Sequence, residues 1–253
     1  MADLLVIVPS RGRPESVARL VEAWQATGAY DDGAELMFAV DADDPTYPAY
    51  MAEIGRCRPG ALGTFTAREW VPMVHKLNAA VVDVLAAVPG LPALGFAGDD
   101  HLPRTPGWAR RYLDEMRQMG TGIVYGDDRI QGARLPTQWA TTSDIVRTLG
   151  RMVPADVEHL YCDDAIADLG RAARCLRYLP DVVIEHVHPL AGRAAWDDQY
   201  RRVNHPGQYA RDRAAYERWR VERMPDDVAA VKALSERSGC GDQNFHGSPV
   251  GSG

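Results

Sequence analysis

The chain has 253 residues, 46% hydrophobic and 25% charged, with a formal net charge of -7. That is an ordinary globular composition, long enough for one large domain or one domain with an appended arm. The acidic balance argues against non-specific coating of nucleic acid, which depends on neutralising phosphates, but leaves room for a local basic groove.

Four cysteines, Cys57, Cys162, Cys175 and Cys240, show no C-x-x-C pair and no framework spacing, as expected in a reduced, cytoplasmic compartment. Met1-Ala-Asp-Leu-Leu5 lacks the basic region and long apolar core of a signal peptide. The most apolar region, Ala79 to Ala97, is interrupted by Asp83, Pro89 and Pro92, so no membrane span is expected.

Leu4 to Val8 is a continuous apolar run rich in β-branched residues, the pattern of a buried strand. It stops at Pro9-Ser-Arg-Gly-Arg-Pro14, and Val17, Leu20, Val21 and Trp24 then recur at helical spacing to about Thr27. Glu35 to Val40 reads as a second strand, ending at Asp41. A strand, helix, strand order with short connections predicts a parallel α/β start. Pro45 to Arg58 reads as irregular or weakly helical, Leu62 to Thr66 as a third strand, and His75 to Val88 as a helix.

Leu94 to Ala97 is the next strand. Thr105-Pro106 opens a helix to about Met119, and Gly122 to Tyr125 is again a strand. Ser143 to Leu149 and Cys162 to Ala173 read as helices, Arg177 to Leu179 and Val182 to Val187 as late strands. Ala194 to Arg223, rich in Arg, Asp and aromatics, predicts helices folded over the main body. From Gly239 onward apolar content is missing and disorder is expected. No internal repeat is evident.

The strongest local signal is Asp99-Asp100-His101, at the end of an apolar strand. Open α/β sheets bind ligands beyond the carboxyl ends of their strands. Adjacent carboxylates repel, and oxygen ligands with an imidazole suit a divalent cation that clamps phosphates. An acidic turn is the competing explanation. His186-Val-His188 ends a strand with both imidazoles on one face, which suits a metal or a substrate contact.

Pro9, Arg11 and Arg13 lie between strand and helix, where a helix N-terminus and guanidinium groups favour an anion; a plain β–α turn is the alternative. With Gly12 as its one glycine, this loop is neither a G-x-G-x-x-G turn nor the Gly-rich loop of a nucleotidyltransferase. Asp41 stands where a carboxylate can meet a base or ribose, whereas Asp43 and Asp44 better suit an Asx-type turn before Pro45. Lys76, one of only two lysines (the other is Lys232), sits at a helix start, which is unfavourable for a cation unless an anion is near. Asp163 and Asp164 open a helix, where acidic residues are stabilised by the macrodipole and where one of them could also serve as a general base.

Taken in order, these motifs resemble the large inverting family 2 of GT-A glycosyltransferases. Val6-Ile-Val-Pro-Ser-Arg-Gly-Arg13 resembles that family's opening strand and loop, Asp41 its base-contacting Asp, and Lys76-Leu-Asn78 its Lys/Asn helix. Gly98-Asp-Asp-His101 resembles its acidic metal motif, in Asp-Asp-His rather than Asp-x-Asp form. Asp163-Asp164, with Arg171 or Arg174, resembles its catalytic-base motif, and His186 or His188 its late histidine.

The resemblance covers roughly residues 4 to 190. It implies an α/β, GT-A (Rossmann-like) mixed central sheet flanked by helices, with a C-terminal helical arm. It divides the chain into a catalytic domain over 1–190, a helical extension over 191–238 and a tail over 239–253. It further implies transfer of a sugar from a nucleoside diphosphate sugar to an acceptor hydroxyl, inverting and dependent on Mn²⁺ or Mg²⁺. No Gln-x-x-Arg-Trp signature is present, which points to a non-processive enzyme.

On that pattern Pro9, Arg11, Arg13, Asp41, Lys76, Asn78 and Asp99 would hold the donor, and Asp100, His101, His186 and His188 the metal. Asp164, less well Asp163, would be the base. Asp127, Asp128 and Trp139 would face an acceptor such as a glycan, a protein or modified DNA, and the enzyme could form oligomers. Competing readings are a nucleotidyltransferase, a metal-dependent phosphoester hydrolase, and a non-catalytic glycan- or nucleotide-binding module on the same scaffold.

Overall fold

The computed structural model describes residues 2–57, 63–192 and 194–240. The opening is three β–α steps: β1 (Leu4–Pro9), α1 (Glu15–Ala26), β2 (Ala34–Asp41), α2 (Tyr47–Cys57), β3 (Gly63–Ala67) and α3 (Met73–Ala87). The segment that reads as irregular or weakly helical is the helix α2; Tyr50 and Ile54, four residues apart, bury one face of it. β4 (Ala93–Phe96) is buried at every position. It leads through a tight turn to β5 (His101–Pro103), a three-residue strand too short to announce itself in the sequence.

α4 (Trp108–Met119) and β6 (Ile123–Asp127) follow, then β7 (Trp139–Thr142), a strand not foreseen from the sequence. α5 (Ser143–Leu149) and α6 (Cys162–Ala173) match their predicted bounds. The two late strands are one, β8 (Leu176–His186), whose pairing with β6 slips at Gly126/Asp127. The chain closes with α7 (Asp198–Val203), α8 (Pro206–Glu222) and α9 (Met224–Cys240). Residues 239 and 240 therefore end a helix, and the rest of the tail, from 241, lies outside the described residues.

The strands form one eight-stranded sheet in the order β3-β2-β1-β4-β7-β6-β8-β5. β3, β2, β1 and β4 run parallel; β7 is antiparallel to both β4 and β6, so the sheet is mixed. Because side chains alternate across a strand, β1 serves two cores. Leu4, Val6 and Val8 pack with α1, α2 and α4, while Ile7 faces the opposite side with α3, α5 and α6. Trp219 of α8 and Val231 of α9 are buried in that second core. The C-terminal helices are thus part of the packed body rather than a loose appendage. No helix among the described residues is long and apolar enough to cross a membrane.

Candidate active site

The carboxyl ends of β1, β2 and β4 open on one cavity of about 250 Å³, closed on the far side by residues 158–163 and by α7. Pro9, Arg11, Arg13, Asp41, Lys76 and Asp99 line it, as do Asp100, His101, Asp163, His186 and His188. Parallel strands running the same way explain the convergence: each delivers its next residues to the same rim.

Asp41 is fully buried at the end of β2. One carboxylate oxygen, Oδ2, accepts from Lys76 Nζ at 2.5 Å and Arg11 Nη1 at 3.1 Å. The anion that Lys76 needs at the start of α3 is therefore this carboxylate. Burial pulls the Lys76 ammonium down in pKa and Asp41 only partly offsets it. The other oxygen, Asp41 Oδ1, is buried with no hydrogen-bond partner among the described residues. An unmet buried acceptor is costly unless a ligand supplies a donor. Asp43 binds Arg11 at 2.7 Å, and Asp44 makes the expected Asx turn to Thr46 N at 2.8 Å while holding Gly12 N at 2.7 Å.

After β4 the chain turns through Gly98, where an added Cβ would lie 2.6 Å from Asp100 Oδ1 and 2.8 Å from His101 Nδ1 and would push those side chains from their places. Asp99 accepts from Ser10 Oγ at 2.5 Å and Arg13 Nη1 at 3.1 Å. Burial pushes its carboxyl up to about 6 despite Arg13. Burial opposes ionisation of Asp100 as well, but its contacts with His101 and His186 outweigh it and hold that carboxyl well below its usual range. The two neighbours thus divide the charge, Asp100 carrying it.

The antiparallel pairing of β5 with β8 sets His101 opposite His186, their rings stacked at 4.1 Å. His186 Nε2 lies 3.3 Å from Asp100 Oδ2, and His101 Nδ1 3.2 Å from Asp100 Oδ1. One ligand atom from each of Asp100, His101 and His186 falls within 4.8 Å of the others. A mixed oxygen and imidazole set of this kind fits Mn²⁺ better than Mg²⁺, which prefers oxygen alone. His101 Nδ1 also accepts from Gly98 N at 3.0 Å, so Asp100 and His186 are the better placed pair. His188 packs edge-on against His186 with centroids 4.9 Å apart, and burial lowers its pKa to about 4.

The arm reaches into this centre. Asp197 caps α7 by accepting from Tyr200 N, and binds Arg13 at Nε (2.7 Å) and Nη2 (2.9 Å). Tyr200 stacks under the Arg13 guanidinium at 3.7 Å and donates its hydroxyl to Asp100 Oδ2 at 2.7 Å. Neither Asp197 nor Trp70, which lines the cavity beside Arg202, carries a signal in the sequence. Tyr200 is one of five aromatics between Ala194 and Arg223, and its sequence position does not set it apart from the others.

Asp163 lines the cavity and Asp164, the next residue on α6, does not. Burial, with help from Asp164, pushes the Asp163 carboxyl up to about 7, a range suited to a general base. Asn78 is spent on the chain at 152–153, accepting from Met152 N and Val153 N and donating to Val153 O. The structure does not bring Asp127, Asp128 or Trp139 to this cavity. Asp128 is buried and turns the backbone at 130–132 through three N–H bonds to Oδ1, Asp127 accepts from Arg129 N, and Trp139 packs on Phe96 in the core. The surface arginines at 104, 110 and 111 pair with Glu185, Asp32 and Asp181.

No protein-family model matches the chain, and no curated protein matches it in sequence. Solved structures do match in shape. The mannosyltransferase PcManGT from Pyrobaculum calidifontis, solved with GDP-Man and Mn²⁺, superposes with a TM-score of 0.58 at 16% identity, over 94% of this chain and 75% of that one. TarS 1-349 from S. aureus gives 0.55 at 10% identity, over 97% and 93%; its complex with UDP-GlcNAc gives 0.53. This chain has a GT-A fold.

Proposed function

We propose that this GT-A chain is a non-processive glycosyltransferase that moves a sugar from a nucleoside diphosphate sugar to an acceptor hydroxyl, with inversion. The observation that carries the reading is the buried, unpartnered Asp41 Oδ1 in a cavity that also holds the Asp100, His101 and His186 cluster. A base N–H is the donor that Asp41 Oδ1 lacks. Arg11 and Lys76 hold the other oxygen, Oδ2, and so aim that carboxylate.

Asp100 and His186, with His101 beside them, would hold a Mn²⁺ ion. When bound it would supply charge to the diphosphate leaving group, a Lewis-acid contribution of several kcal/mol. Asp163 takes the acceptor proton, being the carboxylate of its pair that faces the cavity. Gln199, Tyr200, Arg202 and Val203 of α7 line one wall of the cavity. The catalytic unit includes residues 191–238, because Asp197 and Tyr200 complete the site.

The test is incubation with UDP-, GDP- and TDP-sugars, with Mn²⁺ or Mg²⁺, and detection of free nucleoside diphosphate. A glycosyltransferase releases nucleoside diphosphate by transfer or slow hydrolysis. Release of a sugar phosphate with nucleoside monophosphate would instead indicate a phosphoester hydrolase. Binding without release across the panel and many acceptors would indicate a non-catalytic module.

A further inference from the structure

The segment that precedes Asp163 is held from outside by side chains of α8, with Val74 N also donating to Glu158 O at 3.0 Å. Asp212 of α8 is 1% exposed. Its Oδ1 accepts from Glu158 N at 2.9 Å, and its Oδ2 from His159 N at 3.1 Å and Leu160 N at 2.7 Å. Gln208, one turn earlier, donates to Asp212 at 2.9 Å and to Glu158 Oε2 at 3.0 Å. Three consecutive backbone N–H groups around one carboxylate make strong charge-assisted bonds and leave the segment little freedom.

The next residue, Tyr161, has φ +62°, left-handed backbone that a tyrosine adopts only when its surroundings impose it. Tyr216, one turn after Asp212 on the same face of α8, stacks on Tyr161 at 5.4 Å and donates to Asp168 of α6 at 2.7 Å. Gln208, Asp212 and Tyr216, at i, i+4 and i+8, thus form a stripe fitted to residues 158–168.

We propose that Asp212 is a positioning residue for the transfer step: by fixing the backbone at 158–161 it sets where Asp163 stands in the cavity. This rests on the glycosyltransferase reading for what Asp163 does there, not for the clamp itself. Asp212 touches no reacting atom, so its effect falls on turnover rather than on nucleotide binding.

The experiment uses the full chain and Asp212→Asn. Amide hydrogen exchange at 158–160 should rise about tenfold or more while that of β1 and β4 holds, since local opening replaces the clamp. UDP and GDP affinity in Mn²⁺, measured by calorimetry, should stay within about threefold, and release of nucleoside diphosphate from the donor should fall about a hundredfold, the expected cost of a misplaced group. Adding Tyr161→Gly, which takes the left-handed bend without restraint, should restore part of the turnover lost in Asp212→Asn.

Faster exchange with unchanged turnover would overturn the proposal, as would equal loss of nucleotide binding and turnover. If Asp212→Asn does not fold, Tyr216→Leu removes the stack on Tyr161 and should show the same split in weaker form; no split there also overturns it. If the wild-type chain neither binds nor turns over any donor, the glycosyltransferase reading has failed. The exchange measurement then still decides whether Asp212 holds the segment.

Discussion

The two halves of the cavity are built by different means. One half comes from β1 to β4, parallel strands whose backbone ladders bring Arg11, Asp41 and Asp99 to one rim, with Lys76 of α3 beside them. The other half comes from residues 158–163 and the arm, and side-chain bonds between distant parts of the chain hold it: Arg13 to Asp197, Tyr200 to Asp100, Asp212 to 158–160. A sheet ladder survives the loss of any one side chain, whereas a clamp does not. Substitutions in the first half should therefore change what binds, and those in the second should change what happens after binding.

The largest effect should come where the halves meet. Asp100→Ala is expected to lower Mn²⁺-dependent release of nucleoside diphosphate by ~10³-fold or more, the scale of a lost Lewis acid. Turnover near wild type in that variant would remove the metal assignment. Next, Asp163→Asn should lower transfer by ~10²- to 10⁴-fold, the usual worth of a general base, with nucleoside diphosphate affinity unchanged by calorimetry. Asp164→Asn should have a far smaller effect, and the opposite ranking would move the base to Asp164.

Asp41→Ala breaks the comparison from the other side. It should weaken UDP or GDP binding by ~10- to 100-fold, the value of a hydrogen bond to a charged group. It should also destabilise the fold by ~3 kcal/mol, because the Lys76 ammonium is left buried without its partner. A loss of turnover with binding intact would contradict the division of labour. Asp197→Ala removes the cap of α7 and leaves Arg13 with Asp99 and the Tyr200 ring alone, and should cost ~1 kcal/mol of stability. A modest fall in turnover should accompany it, read by melting and donor assay together.

The smallest effect is a pH dependence of stability in the presence of a chelator. The Asp163 carboxyl is raised to about 7 in the fold from an unfolded value of 3.8, so the folded state binds its proton more tightly. The associated stability is present below pH 3.8 and is lost as pH rises through about 7. Asp163→Asn should flatten that decline and raise the melting temperature at pH 8 by ~4 °C. An unchanged pH profile would show that Asp163 is not held in its raised state.

Much of the first half was legible from local pattern. Apolar runs at Leu4–Val8 and Leu94–Ala97 mark buried strands, and in a parallel sheet the polar residues after them must share a rim. That is why Arg11, Asp41 and Asp99 to His101 could be placed without coordinates. The missed elements were those whose partners, not their composition, make them strands: β5 is three residues long and exists through its pairing with β8, and β7 is inserted antiparallel between β4 and β6. Asp128 and Asn78, polar residues beside motifs, proved to be bonded to backbone, a distinction that side-chain type cannot reveal.

By itself, then, the sequence determined the alternation of strand and helix, the order of the polar clusters and the rim on which the first of them meet, because periodicity and strand direction are local properties. The tertiary structure alone decided that Asp163 rather than Asp164 faces the cavity, that Asp41 keeps one oxygen unpaired, and that Asp197, Tyr200 and Asp212 belong to the site. Those outcomes depend on contacts between residues 30 to 184 positions apart, and Asp212 in a helix rich in arginine is indistinguishable from a surface carboxylate until three backbone N–H groups are found around it.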